Sequence, residues 1–363
     1  MKALILVGGE GTRLRPLTCN TPKAMVPVLN QPFLEHVILH LRKHQIEDIV
    51  LAQGYMAEPI ESYLGDGHSL GVRLHYVLEG IPRGTAGAIK HAESYLDETF
   101  LAMNGDIFTD LDITSMAEFH REQKAKVTIA LTPVDDPTAY GLIETDDTGR
   151  ILRFLEKPTW DQVTTNMINA GTYIIEPEVL PQIPPDIKVS IERETFPLLL
   201  SRNEPVYAYP SSCYWLDMGT PEKYLQLHRD LLSGKSSHYT PATDTQVIIG
   251  KQCNIHPTAR INGPAIIGDN CTIGEKVRII GPVVLGNSCT VHEGTVIEGS
   301  IIWDNVQLGP MASLKTSLVA DHCYLKANSS IEDVVLGDNV TLAEGGKLEA
   351  GRRIWPRETV GYT

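Results

Sequence analysis

Six cysteines stand at positions 19, 213, 253, 271, 289 and 323 of the 363-residue chain, and no two of them form a Cys-x-x-Cys pair. Without such pairs there is neither a thiolate zinc site nor a disulfide framework to expect, and a reducing cytoplasm fits best. No stretch approaches the ~20 apolar residues that cross a bilayer. The N-terminus opens on a strand pattern rather than a basic region followed by an apolar one, so no secretory signal is expected. Positive charge is in deficit, since 31 basic and 45 acidic residues give a net charge of −14. That balance argues against nonspecific nucleic-acid or acidic-membrane binding. Two familiar glycine motifs are missing as well. G-x-G-x-x-G fails at Leu14 when counted from Gly9, and Gly234-Lys235-Ser236 has Arg229 where a Walker A loop needs glycine.

A hydrophobic content of 42% against 21% charged residues suits a chain with a sizeable core, and the length suggests two domains. From residue 1 to 232 short apolar runs alternate with helical patterns, the rhythm of an α/β domain with a mainly parallel sheet. Strands are expected at 3–7, 49–52, 72–77, 100–103 and 127–131. Phe33, Val37 and Leu41 keep helical spacing over 33–44. Residues 233–246 have linker composition.

Beyond them apolar residues recur at every sixth position: Ile249, Ile255, Ile261, Ile267, Ile273, Ile279, Leu285, Val291 and Ile297. Trp303 continues the register, which slips by one residue to Leu308 and Leu314. A hexapeptide period predicts a left-handed parallel β-helix, here over 247–342, with three hexads to a coil and a tail at 343–363 that carries Trp355 and Tyr362. Cys253, Cys271 and Cys289 lie one coil apart, so they stack in one column as small core fillers. His256 and His292 share another column, read as a solvent-facing stack. Open coil ends and flat faces suggest a homo-oligomer.

The chemistry concentrates after the first strand. Residues 8–28 read Gly-Gly-Glu-Gly-Thr-Arg-Leu-Arg-Pro-Leu-Thr-Cys-Asn-Thr-Pro-Lys-Ala-Met-Val-Pro-Val. Glycines at 8, 9 and 11 allow close backbone approach to an anion, and Arg13 and Lys23 supply fixed positive charge, so the stretch suits a polyphosphate. Met103-Asn104-Gly105-Asp106 follows an apolar strand, which puts Asp106 at a carboxyl strand end, where open α/β sheets bind ligands. With Asp217, in Tyr214-Trp215-Leu216-Asp217-Met218-Gly219, it offers two carboxylates for Mg²⁺. Arg83-Gly84-Thr85-Ala86-Gly87 precedes a helix with Thr85 as a candidate N-cap.

These motifs, with Phe154-Leu155-Glu156-Lys157-Pro158 and Asn169-Ala170-Gly171-Thr172-Tyr173, resemble in type and order the sugar-nucleotide pyrophosphorylases. The likeness covers the N-terminal two-thirds of the chain, and 247–342 resembles the hexapeptide-repeat family. The resemblance implies a Rossmann-like nucleotidyltransferase domain that joins a nucleoside triphosphate to a sugar 1-phosphate. It assigns Arg13, Lys23 and Asp106 to catalysis and Asp106 and Asp217 to Mg²⁺. Leu6, Gly8, Gly9, Gly11, Thr12, Arg13, Glu79, Gly84, Thr85 and Ala86 fall in the nucleotide site. Tyr140, Gly141, Glu156, Lys157 and Asn169 fall in the sugar-phosphate site.

The likeness is closest to mannose-1-phosphate guanylyltransferases with a hexapeptide-repeat tail. Arg83 departs from the apolar residue expected before Gly84, which leaves thymidylyl, uridylyl or adenylyl transfer to glucose 1-phosphate as the alternative. A hexapeptide-repeat acyltransferase and a non-catalytic regulatory paralogue are further readings. The second would be expected to lose phosphate or metal residues, which are all present.

Overall fold

A computed structural model describes residues 1–237 and 246–361. The chain forms two compact units, Met1–Gly9 with Leu34–Asp217, and Glu10–Phe33 with Met218–Thr363.

The first unit begins with four strands and three helices in alternation. They are β1 (Lys2–Leu6), α1 (Phe33–Lys43), β2 (Asp48–Gln53), α2 (Ala57–Leu64), β3 (Arg73–Leu78), α3 (Gly84–His91) and β4 (Phe100–Asn104). The strands pair in parallel in the order β4-β1-β2-β3. Ala3 to Ile5 and Ile49 to Ala52 have no exposed surface, as strands of a parallel sheet covered on both faces require. In α1 the apolar residues Phe33, Leu34, Val37, Ile38 and Leu41 are buried. Glu35 in its first turn and His40, Arg42 and Lys43 in its last match the helix dipole.

After β5 (Ile107–Thr109) and α4 (Ile113–Gln123) the sheet is extended by β6 (Val127–Pro133), β7 (Gly141–Thr145), β8 (Ile151–Glu156) and β9 (Met167–Ile175). β9 runs antiparallel to β4 and to β6, and antiparallel β7 and β8 close that edge. A short α5 (Phe196–Ser201) leads to β10 (Val206–Pro210), which pairs in parallel with β6. β11 (Trp215–Asp217) pairs with β5 alone, in a two-stranded ladder.

The second unit contains α6 (Pro221–Leu232), which Thr220 caps by accepting the Lys223 N–H, and a coil of three parallel sheets. The coil's first rungs repeat every eighteen residues, as in Ile249↔Ile267↔Leu285. The next pairing, Leu285↔Ile302, spans seventeen. The slip therefore falls one position earlier than the sequence suggested. Ile302, not Trp303, fills the core column, and the buried Trp303 indole instead donates to Tyr224 of α6 at 3.0 Å.

The rungs also run past 342. Lys347–Leu348, Arg353–Ile354 and Thr359–Val360 pair with the strands before them, so the segment expected as a tail is coil as far as Val360. The expected linker lies outside the described residues at 238–245, as does Tyr362. The sulfurs of Cys253, Cys271 and Cys289 each meet a carbonyl of the next coil at 3.1 Å, in the expected column. His256 and His292 are exposed on the coil. Among the described residues no helix is long and apolar enough to cross a membrane.

Candidate active site

In the first unit the candidate residues collect at the carboxyl ends of β1 and β4. Leu6 ends β1, and its carbonyl accepts the Gly105 N–H at 2.9 Å. A side chain at Gly105 would stand 2.6 Å from Val7 Cγ1 and 2.7 Å from the Leu6 carbonyl oxygen. Only glycine lets the two strand ends come this close, and the half-buried Asp106 follows directly. The β5–β11 ladder sets Asp217 opposite Ile107, the residue after Asp106. Two acidic residues expected from separate motifs thus stand one register position apart along the backbone.

The donor set fits the expected ion. Mg²⁺ takes one or two protein carboxylates and fills its other positions with water and phosphate oxygens. Among the described residues no group of three or more His, Cys, Asp or Glu could hold a metal ion.

Gly8 continues from β1 and lies against Gly54 and Glu79. A Cβ there would be 3.4 Å from Gly54 N and 3.5 Å from Glu79 Oε1. At Gly9 the same construction meets nothing within 4 Å, so glycine is not required there for packing. Glu79 Oε2 accepts the Arg83 N–H at 3.1 Å. Burial raises the Glu79 pKa, against the Arg83 N–H and the charges of His91 and Arg83.

The loop at 83–87 is built differently from the expectation. Thr85 is not the helix N-cap: α3 starts at Gly84, and no side chain caps it. Gly84 sits at φ +72°, and a Cβ on it would lie 2.6 Å from the Val189 carbonyl oxygen. Ala86 N–H and Gly87 N–H both point to that same oxygen, at 3.1 and 3.3 Å. The small residues thus answer first to close packing on 187–189.

Thr85 Oγ1 accepts the Ile191 N–H and donates to Glu192 Oε2 at 3.1 Å. Glu192 Oε2 also accepts the Ser190 hydroxyl, and its Oε1 accepts the Tyr173 hydroxyl at 3.2 Å. Tyr173 in turn accepts from Asn169 Nδ2 at 2.9 Å. Glu192 therefore joins the Thr85 loop to the strand that carries Asn169 and Tyr173, a role no local pattern in Ser190-Ile191-Glu192 indicates.

Around Asn169 the remaining sugar-site candidates gather through the backbone and ring contacts. Asn169 Oδ1 accepts the Gly171 N–H, and Trp215 Nε1 donates to the Ala170 carbonyl at 3.0 Å. The Tyr140 ring meets Trp215 edge-on with centroids 5.5 Å apart. Lys157, exposed at φ +51°, donates its N–H to the Tyr140 carbonyl, and Glu156 lies opposite Gly141 in the β7–β8 pairing.

The second unit holds Gly11, Thr12, Arg13 and Lys23. Gly11 is left-handed (φ +63°) and its carbonyl accepts the hydroxyl of the wholly buried Thr18 at 2.7 Å. Thr12–Leu14 and Lys23–Met25 form single helical turns, with Leu14 and Ala24 buried and Arg13 exposed.

Two family models match the chain in succession. Residues 2–234 match the family described as Nucleotidyl transferase, and residues 245–348 match the EIF2B subunit epsilon LbH domain, which agrees with a left-handed coil. A mannose-1-phosphate guanylyltransferase of Mycobacterium tuberculosis is 41% identical over 234 residues, which is 64% of this chain and 65% of that protein. A mannose-1-phosphate guanyltransferase of Hypocrea jecorina is 36% identical over 367 residues, covering 95% of this chain and 93% of its own length. The structure of HddC from Yersinia pseudotuberculosis complexed with GMP-PN superposes with a TM-score of 0.55 at 29% identity, over 63% of this chain and 98% of that one.

Proposed function

The chain belongs to the nucleotidyl transferase family, and from that premise we propose that it joins GTP and mannose 1-phosphate into GDP-mannose with release of pyrophosphate. The observation that carries the reaction class is the adjacency of Asp106 and Asp217 across the β5–β11 ladder, at the end of the strand beside the glycine turn. Choice of sugar and base leans on the two relatives above, one of which is matched over 95% of this chain.

The Glu79 carboxylate adds a chemical reason for guanine. Its Oε2 already holds the Arg83 N–H, and Oε1 faces the glycine turn as an acceptor. Guanine offers neighbouring N–H donors along one edge, which a carboxylate accepts. Uracil and thymine offer one N–H between two carbonyls, which a carboxylate would repel.

In the reaction the sugar phosphate oxygen attacks the α-phosphorus, and pyrophosphate leaves in line. The nucleophile is already an anion, so the protein's work is alignment and charge neutralisation rather than proton abstraction. Arg13 neutralises the departing pyrophosphate with its planar fork, and Lys23 the α-phosphoryl group as a point charge. Lys157 holds the sugar phosphate, while Glu156 and Asn169 bind sugar hydroxyls. Asp106 and Asp217 would hold Mg²⁺, which when bound supplies Lewis-acid neutralisation of phosphate oxygens. Six free cysteines agree with a reducing, cytoplasmic setting for this chemistry.

The test is pyrophosphate release from GTP, UTP, dTTP and ATP, each paired with mannose 1-phosphate and glucose 1-phosphate. The expected outcome is the highest kcat/KM for GTP with mannose 1-phosphate. A higher value for UTP or dTTP with glucose 1-phosphate would replace the substrates but keep the reaction. Release from no pair would end the proposal.

A further inference from the structure

The turn that carries Arg13 is held from the far end of the coil. Arg353 Nη1 donates to the Arg13 carbonyl at 3.1 Å and to the Arg15 carbonyl at 3.2 Å, while its Nη2 stands 3.6 Å from a Glu222 carboxylate oxygen. Other ties in the same unit fix the rest of the segment. Asn20 Nδ2 donates to Asp338 at 3.0 Å, and Asn30 Nδ2 to the Leu285 carbonyl at 2.8 Å. The buried Tyr224 hydroxyl donates to the Pro27 carbonyl while accepting from Trp303. Each donor or acceptor on the coil sits in a different rung.

We propose that Arg353 is a positioning residue for nucleotidyl transfer, and that the coil is the frame on which the phosphate-binding turn is set. The proposal rests on the reading of Arg13 as a phosphate ligand. Its physical basis is the geometry of the fork. One guanidinium nitrogen, Nη1, bridges two carbonyls of a single turn while Nη2 of the same rigid plane faces Glu222, an orientation that a lone ammonium would not fix. With the Arg13 carbonyl fixed, the peptide plane beside its Cα is fixed, and so is the direction in which its side chain leaves the backbone. Of the remaining turn bonds, Leu14 N–H to Gly11 belongs to the Arg13–Leu14 peptide itself, and Arg15 N–H to Thr12 and Leu17 N–H to Leu14 come from the peptides that flank the two held carbonyls. Arg353 belongs to the rung Arg353–Ile354 and spends its guanidinium on the turn carbonyls and Glu222, so its role is assigned to the turn.

The experiment uses full-length Arg353→Ala and Arg353→Lys with Arg13→Ala as the reference. Amide hydrogen exchange at Leu14, Arg15 and Leu17 is read beside kcat and both KM values. In Arg353→Ala those amides exchange faster and kcat falls about tenfold, as small misplacements of a reacting group do. KM for the sugar phosphate stays at its original value, and Arg353→Lys falls between the alanine variant and the parent. Unchanged exchange in folded Arg353→Ala overturns the proposal. So does a parental kcat in that variant where Arg13→Ala is inactive. If Arg13→Ala itself turns over normally, the catalytic reading of the turn has failed, and exchange alone then decides whether Arg353 clamps it. Should the alanine variant not fold, parental exchange and kcat in Arg353→Lys count against the fork.

Discussion

Glu192 Oε2 accepts the Thr85 hydroxyl at 3.1 Å while Oε1 of the same carboxylate accepts the Tyr173 hydroxyl at 3.2 Å. One side chain thereby couples the loop assigned to the nucleotide with the strand assigned to the sugar. Glu192→Ala leaves three hydroxyls without this acceptor, at a cost of about 1–3 kcal/mol in stability. KM should rise several-fold for both substrates together. Steady-state kinetics with each substrate varied, beside a urea melt, checks this, and a rise confined to one substrate would separate the two motifs again.

Glu79→Gln replaces an acceptor-only group by one that both donates and accepts. The expected outcome is a loss of preference for GTP and a gain for UTP or dTTP, by about tenfold in the ratio of kcat/KM. Competition between nucleotides in one reaction mixture measures that ratio directly. An unchanged ratio would remove Glu79 from base recognition.

Lys157→Ala should raise KM for the sugar phosphate more than KM for the nucleotide. The residue is exposed at φ +51°, with its backbone N–H tied to Tyr140. Loss of its side chain should therefore cost little stability, and a thermal melt verifies it. Equal effects on both KM values would move Lys157 out of the sugar site.

Asp321 gives the coil a pH dependence. Burial raises its pKa to about 6; the Asp304 N–H opposes this, and the charges of Asp338 and Asp304 add to it. A folded-state value above the unfolded one of about 3.9 means the native state binds the proton more tightly. The stabilisation is therefore complete below about pH 4 and is lost as pH rises through about 6. Asp321→Asn keeps an oxygen for the Asp304 N–H and removes the charge. The variant should exceed the parent in stability above pH 7 by at most about 3 kcal/mol, with the gain fading towards pH 4. Urea melts at a series of pH values read the difference, and a variant no more stable than the parent at pH 8 would contradict it.

Much of this was readable because the signals were local. The run Phe100 to Met103 announces a buried strand, and Asn-Gly-Asp after it can only sit at that strand's end. The hexad period declared the coil for the same reason. What could not be read depends on contacts distant in sequence. Arg353 and Arg13 lie 340 positions apart, and nothing near either announces the other. Trp303 looked like a core position because it keeps the six-residue count, yet its bulk is accommodated outside the coil against Tyr224, and the rung shortens to seventeen residues instead. The rungs after 342 were missed because Gly345-Gly346 and Arg352-Arg353 break the aliphatic period that marked the earlier ones. The glycines at 84 and 87 mark the start of a helix in the sequence, but they do not reveal that the space their missing side chains leave is taken by the backbone of Val189 and Ile187, about a hundred positions on.

The central claim is that two acidic residues from separate strands anchor the charge on which transfer depends. Pyrophosphate release by Asp106→Asn, at saturating GTP, mannose 1-phosphate and Mg²⁺, tests it most directly. The account predicts a kcat lower by about two orders of magnitude or more, since a metal-held charge contributes several kcal/mol to the transition state. Turnover within a few-fold of the parent would contradict it.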